Sequence, residues 1–367
     1  MLNVFLLCLS VCCFAPIYGN EKQNGMAIQQ DVGEKQLTPA QVALSEQNIA
    51  PKIPLYINIF AHGLTGNANN LKPYKEFLGG IITGKNGPEW DERLYGKYAG
   101  PLQSSLAQEK DIAVVADQMA LYPHARLILS GVSKGAATMI NTVGWLAKHN
   151  PILLRNLQAV VVESPFDCME NVAANMVHTV VEKFASEHLS TSVETTVDSY
   201  CVRPLVKYIE KIRFRNFDPE GITPIKAVRE LWQGVDKELV VVFVHSQEDT
   251  VISVNASRML YIALKEQGFK NLYFLETEKG AHANVFWGAD KENVLEQLCY
   301  IYLHHNLPLP YELSADYAEQ LFQRFEVDKE KILFRLQPTI DEVNTRVHPW
   351  LSKVIGPKGF RLLGYVR

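Results

Sequence analysis

The stretch RLILSGVSKGAATMI, residues 126–140, decides how the chain folds. Arg126 to Ser130 reads as a buried strand, and the small and apolar residues from Lys134 onward read as a helix packed closely on a sheet. Between them stand Gly131, Val132, Ser133, Lys134 and Gly135, a G-x-S-x-G pattern that puts a serine on a strand-to-helix corner. The glycines have a steric reason. A residue at such an apex takes a strained backbone, and neighbours without a Cβ let strand and helix approach until the hydroxyl projects.

Reading outward, strands keep alternating with helices. PLYINIFAHG gives a strand over 55–61 and then a Gly- and Asn-rich loop, with a helix beginning near Asn69 and a short strand at GGIIT, 79–83. Leu106, Ile112, Val115, Met119 and Tyr122 recur at near-helical spacing and predict a helix with one face on a sheet. LQAVVVES and ELVVVFVHSQED are continuous apolar runs of the kind buried on both faces. TPIKAVREL, SVNASRMLYIALKEQG and ENVLEQLCYIYLHH read as helices, and NLYFLET as a strand. The pattern predicts an α/β fold with a mostly parallel central sheet and helices on both faces. The segment at about 165–221 is helical by pattern and longer than an ordinary crossover, so it reads as an inserted helical lid. The main domain is expected over 51–305. Residues 306–367, opened by the Pro-bearing NLPLPY, form a carboxy-terminal appendage whose SADYAEQLFQRF is helical.

With 367 residues, 47% of them apolar, the chain can bury a full-sized core. A formal charge of −4 with no local basic patch argues against a nucleic-acid partner. Residues 1–19 have the shape of a secretory signal peptide, apolar from Val4 to Tyr18 and then abruptly polar, with Gly19 before the cut. No Lys or Arg precedes the apolar run, so an uncleaved anchor is the alternative; the bulky Val11 before Cys12 argues against lipidation. The expectation is a secreted or periplasmic protein, with a flexible lead-in over 20–50 and no stable transmembrane span in the mature chain. Cys168, Cys201 and Cys299 then remain, leaving open either a Cys168–Cys201 pair or free buried thiols.

In a parallel sheet, residues just beyond the carboxyl ends of strands gather on one rim. Ser133, Asp249 and His282 each follow a strand there, and their chain order is the one an elbow serine uses. A serine hydroxyl needs an imidazole to take its proton and a carboxylate to orient that imidazole. Asp249 is preferred to its neighbour Glu248, which leaves Asp249 as a turn former or helix cap in the other reading. The oxyanion donors are expected from the backbone N–H groups of Lys134, at a helix N-terminus, and Leu64, in the glycine-bounded HGLTG loop. His62 reads as a loop-ordering side chain, His245 as a hydrogen-bonded core histidine and His124 as structural.

HGLTG, GVSKG, HSQEDTV and GAH, in that order over residues 53–304, resemble the α/β-hydrolase superfamily. The resemblance implies an eight-stranded-type sheet with an inserted lid and a Ser133, His282, Asp249 triad. SKGA is also similar to the elbow of acyl-CoA thioesterases and bile-acid acyltransferases, while His245-Ser246 departs from the commoner His-Gly. The expected activity is a serine hydrolase cleaving an ester or related acyl bond through an acyl-enzyme on Ser133. The alternatives are a serine peptidase of the prolyl-oligopeptidase-like type and a hydrolase-fold protein that binds without turnover. The expected partner is a small-molecule or acyl substrate; no organic cofactor and no metal is expected, and the oligomeric state is left open.

Overall fold

Five strands, β1 (Tyr56–Ala61), β2 (Arg126–Val132), β3 (Leu157–Glu163), β4 (Val240–Ser246) and β5 (Leu272–Thr277), pair in chain order as one parallel sheet in this computed structural model. The structure describes residues 56–64, 106–172, 175, 218, 220–286, 288–307 and 315–354. The expected signal, lead-in, helix near Asn69, strand at 79–83 and most of the lid segment lie outside the described residues. Within them the helices are α1 (Glu109–Ala120), α2 (Lys134–His149), α3 (Val254–Glu266), α4 (Lys291–His304), α5 (Ala315–Leu336) and α6 (Ile340–Val354).

Strand order and crossover hand decide where the helices go. When parallel strands are laid down in sequence, right-handed crossovers put every connecting helix on the same face. On that face Ile59, Leu129, Val162, Phe243 and Phe274 pack with Val115 of α1, Met139 and Val143 of α2, and Leu260 and Leu264 of α3. The side chains that alternate with them along the strands, among them Phe60, Ile128, Val161, Val242 and Tyr273, pack on the other face with Val294, Leu298 and Ile301 of α4. Both faces are thus covered, which is why these strands read as unbroken apolar runs.

Two elements differ from the sequence reading. The helix expected from Leu106 starts only at Glu109, because Leu106 and Ala107 stand at φ 50° and 70° and the Asp111 carboxylate accepts from the Ala107 N–H at 2.9 Å. Residues 223–231 are not a plain α-helix: an α turn over Pro224–Lys226 widens to a π turn over Ala227–Leu231 and closes as a 3-10 turn over Trp232–Gly234. The widened turn accompanies the seating of Trp232, fully buried, whose indole N–H donates to the Ile140 carbonyl at 2.9 Å.

The carboxy-terminal helices wrap the sheet at β5, which has one strand neighbour among the described residues. Leu336, at the end of α5, packs with the α4 face, whereas Val343 and Val347 of α6 join the α3 face. Between them the Pro338 carbonyl accepts from the Tyr261 hydroxyl at 2.8 Å and Gln337 donates to the Lys270 carbonyl at 3.0 Å. The chain therefore passes around the sheet edge and covers it, which removes a site for intermolecular strand pairing. α5 bends at Asp328, and its Phe325 stacks on Tyr300 of α4 with ring centroids 5.5 Å apart.

Among the described glycines, the tightest surroundings lie between α2 and β1. A Cβ added at Gly135 would stand 2.2 Å from the Ala61 carbonyl oxygen, and one at Gly131 would stand 2.6 Å from the Gly135 carbonyl carbon. Gly135→Ala must therefore push α2 off β1. The substitution is expected to lower the unfolding free energy by at least ~2 kcal/mol in urea titration; an unchanged midpoint would contradict the close approach.

Candidate active site

Ser133 sits between β2 and α2 at φ 55°, ψ −119°, a conformation that L-residues rarely adopt and that costs on the order of 1–3 kcal/mol. The corner is held on both sides. The Ser133 N–H donates to the Glu163 carbonyl at 2.8 Å, and the Ser133 carbonyl accepts from Ala137 at 3.1 Å. The two flanking glycines remove the Cβ atoms that would block the turn. The Lys134 amide opens α2, where unpaired N–H groups and the helix dipole favour negative charge.

Two loops reach this serine from the same end of the sheet. Asp249 lies three residues past β4 with its side chain fully buried, and His282 lies in the turn after β5 with its side chain 20% exposed. His282 Nδ1 stands 2.7 Å from Asp249 Oδ2, and its Nε2 stands 2.9 Å from Ser133 Oγ. An ionised carboxylate only accepts, so Nδ1 carries the proton and Nε2 is left to accept from the serine hydroxyl. The structure thus brings together the three residues that the sequence singled out. It separates Asp249 from Glu248, whose carboxylate accepts from the Gly280 N–H at 3.3 Å.

These features, a serine elbow on a parallel sheet with carboxylate and imidazole following the next-but-one strand and the last, decide the architecture. The fold is an α/β-hydrolase fold. No family model and no curated protein matches this chain by sequence. Solved structures similar to it include an acylaminoacyl peptidase of Pyrococcus horikoshii, at 16% identity and TM-score 0.42, covering 75% of this chain and 40% of that one. They also include the Pyrococcus furiosus esterase Pf2001, at 15% identity and TM-score 0.42, covering 68% of this chain and 82% of that one. The esterase Est2 of Thermogutta terrifontis is similar at 12% identity and TM-score 0.42, covering 73% of this chain and 88% of that one. The chain therefore spans about two-fifths of the peptidase.

The loop after β1, which carries the expected donor Leu64, approaches the serine. A Cβ at Gly63 would meet the Ser133 Cβ at 3.4 Å, so the loop after β1 comes against the elbow, with Leu64 next in line and 39% exposed. His62 is buried, and its Nδ1 lies 2.7 Å from the Gly63 carbonyl; that oxygen can only accept, so Nδ1 donates and orders the loop. Burial pushes the His62 imidazole below its ordinary pKa, with the nearby Lys134 charge adding to the effect. The Lys134 side chain points into the protein beside Asp111, at 3.6 Å, and burial lowers its pKa as well.

Two contacts escaped the sequence reading. The buried Glu163 carboxylate, at the end of β3, accepts from the Val285 N–H at 2.8 Å and so anchors the loop that carries His282. His245, inside β4, reaches Asp249: its Nε2 lies 3.3 Å from Asp249 Oδ2. Cys168, near the start of the expected lid segment, is a free buried thiol, and burial raises its pKa well above the usual thiol range.

Burial alone would raise the Asp249 pKa, yet hydrogen bonds from His245 and His282 outweigh it and hold the carboxyl well below the usual carboxylate range. A depressed folded-state pKa supplies stability that is present above the unfolded value, about 3.9, and is lost as pH falls through it toward the folded value. Urea unfolding should therefore weaken from about pH 5 to about pH 3 in the wild type. Asp249→Asn should lose about 1–3 kcal/mol at neutral pH and show a flatter acid dependence; equal acid slopes in the two proteins would refute the ionised, donor-rich carboxylate.

Proposed function

We propose that this protein is a serine hydrolase that cleaves an ester or related acyl bond, with Ser133 as nucleophile, His282 as general base and acid, and Asp249 as the carboxylate that orients His282. The observation that supports it is the unbroken line from Ser133 Oγ to His282 Nε2 at 2.9 Å and from His282 Nδ1 to Asp249 Oδ2 at 2.7 Å, beginning on a serine held at φ 55°. A free serine hydroxyl is far too weak an acid to attack at neutral pH, and this line supplies the proton acceptor within reach.

In the reaction, Ser133 Oγ bonds to the carbonyl carbon as its proton passes to His282 Nε2. The carbonyl π electrons move to oxygen. That oxyanion is met by the backbone N–H groups of Lys134 and Leu64, in a position backed by the α2 dipole. Collapse of the tetrahedral species expels the leaving group, which takes the proton from His282. Water then attacks the acyl-serine by the same route in reverse, and Ser133 regains its proton. No step calls on a metal or an organic cofactor.

A fluorophosphonate probe reacts with an activated serine whatever its natural substrate. It should label the wild-type protein and leave Ser133→Ala unlabelled, while His282→Ala should lower kcat on a p-nitrophenyl ester series by about 10^4-fold or more. Folded wild-type protein that takes no label and turns over no member of the series would instead favour a hydrolase-fold protein that binds without turnover.

A further inference from the structure

His245 is fully buried in β4, and both of its ring nitrogens are committed. Nε2 lies 2.9 Å from the Ile252 carbonyl and 3.3 Å from Asp249 Oδ2. A carbonyl oxygen only accepts, so the Nε2 proton is fixed and is shared between that carbonyl and the carboxylate. On the other side of the ring, Nδ1 stands 2.6 Å from the Ser257 hydroxyl of α3, which locks the imidazole against rotation.

The carboxylate it reaches is saturated with donors. Asp249 Oδ1 accepts from the Val251 and Ile252 N–H groups, each at 2.9 Å, and Oδ2 is shared by His282 at 2.7 Å and His245 at 3.3 Å. Ile252 closes the circuit, giving its N–H to Asp249 and its carbonyl to His245. Removing the His245 ring would leave the Ile252 carbonyl without that donor and leave Oδ2 held by His282 alone, so that the carboxylate can pivot on the two amides that hold Oδ1. A turn of Asp249 moves His282 Nδ1 with it, and so moves Nε2 away from the serine.

We infer that His245 is a positioning residue for acyl transfer, a second imidazole that fixes the Asp249 oxygen on which His282 depends. This inference rests on the proposed serine-hydrolase reading. His245 also bears on the charge of the triad. With one donor fewer, the Asp249 carboxylate holds the His282 proton more tightly, so the acid limb of the pH profile moves to higher pH. The other charged groups nearby are Glu276, which pairs in register with His245 on β5, and Arg258 and Arg346, which hold Glu276. All of them are left in place by a change at position 245.

The test uses the full chain and the p-nitrophenyl ester it turns over fastest, comparing wild type with His245→Leu, His245→Gln, Ser257→Ala and Ser133→Ala. His245→Leu should lower kcat roughly 10- to 100-fold with KM within about two-fold. Its acid limb in kcat/KM should rise by about half a pH unit or more. His245→Gln, which restores an N–H donor, should recover most of the loss. An unchanged kcat and acid limb in His245→Leu overturns the inference, as does an equal loss in the Leu and Gln variants. Should His245→Leu not fold, as judged by circular dichroism melting, Ser257→Ala decides: a several-fold lower kcat supports the inference, and wild-type values overturn it. Turnover that survives Ser133→Ala, or no turnover at all, overturns the hydrolase reading together with this one. Turnover that needs Ser133 and ignores His245 overturns this inference alone.

Discussion

A serine is held at φ 55° because helix α2 lies almost in contact with strand β1. That contact exists only where Gly135 has no Cβ to strike the Ala61 carbonyl and Gly131 none to strike Gly135. Once α2 is seated, the strained corner is the path by which β2 can enter it, and the strain is carried by the packing of the two flanking elements. The same seating starts α2 at Lys134, directly after the serine, so one steric constraint positions both the hydroxyl and the amide that the proposed reaction uses.

The rest of the site is a matter of holding two loops at one height above the sheet. Asp249 is carried by β4 and is fixed by two amides of its own turn; His282 is carried by β5, and its loop is tied back through Val285 to Glu163 on β3. Parallel register aligns the carboxyl ends of β3, β4 and β5, and the short loops do the remainder. Burial has opposing effects here. It penalises the Asp249 charge, and it strengthens each hydrogen bond that the carboxylate accepts, so a fully supplied carboxylate stays ionised where a poorly supplied one would not.

The parallel sheet was legible in the sequence because its strands are buried on both faces and therefore read as continuous apolar runs such as LQAVVVE and LVVVFV. The serine corner was legible because glycine on either side of Ser133 has no other ready reason. Asp249 and His282 followed from chain order once the corner was placed. Other features carry no local signal. Glu163 ends a strand, and its partner Val285 lies 122 residues away. His245 sits alone in an apolar strand; a separation of four residues points to contact on a helix, whereas here the contact is made across a turn. Leu106 fitted the helical spacing of α1, but the periodicity of side chains says nothing about the positive φ at which it stands. The widened turn before Trp232 depends on where a buried indole finds its acceptor, the Ile140 carbonyl 92 residues earlier.

In the proposed reaction these contacts serve covalent chemistry at one oxygen atom, Ser133 Oγ. The most direct measurement is acid quenching during turnover of an activated ester, followed by mass spectrometry of the proteolysed chain. A mass increase equal to the acyl group is expected on the peptide bearing Ser133, appearing and decaying with the substrate. Steady turnover with no adduct on that peptide, or with the adduct on another residue, would contradict it.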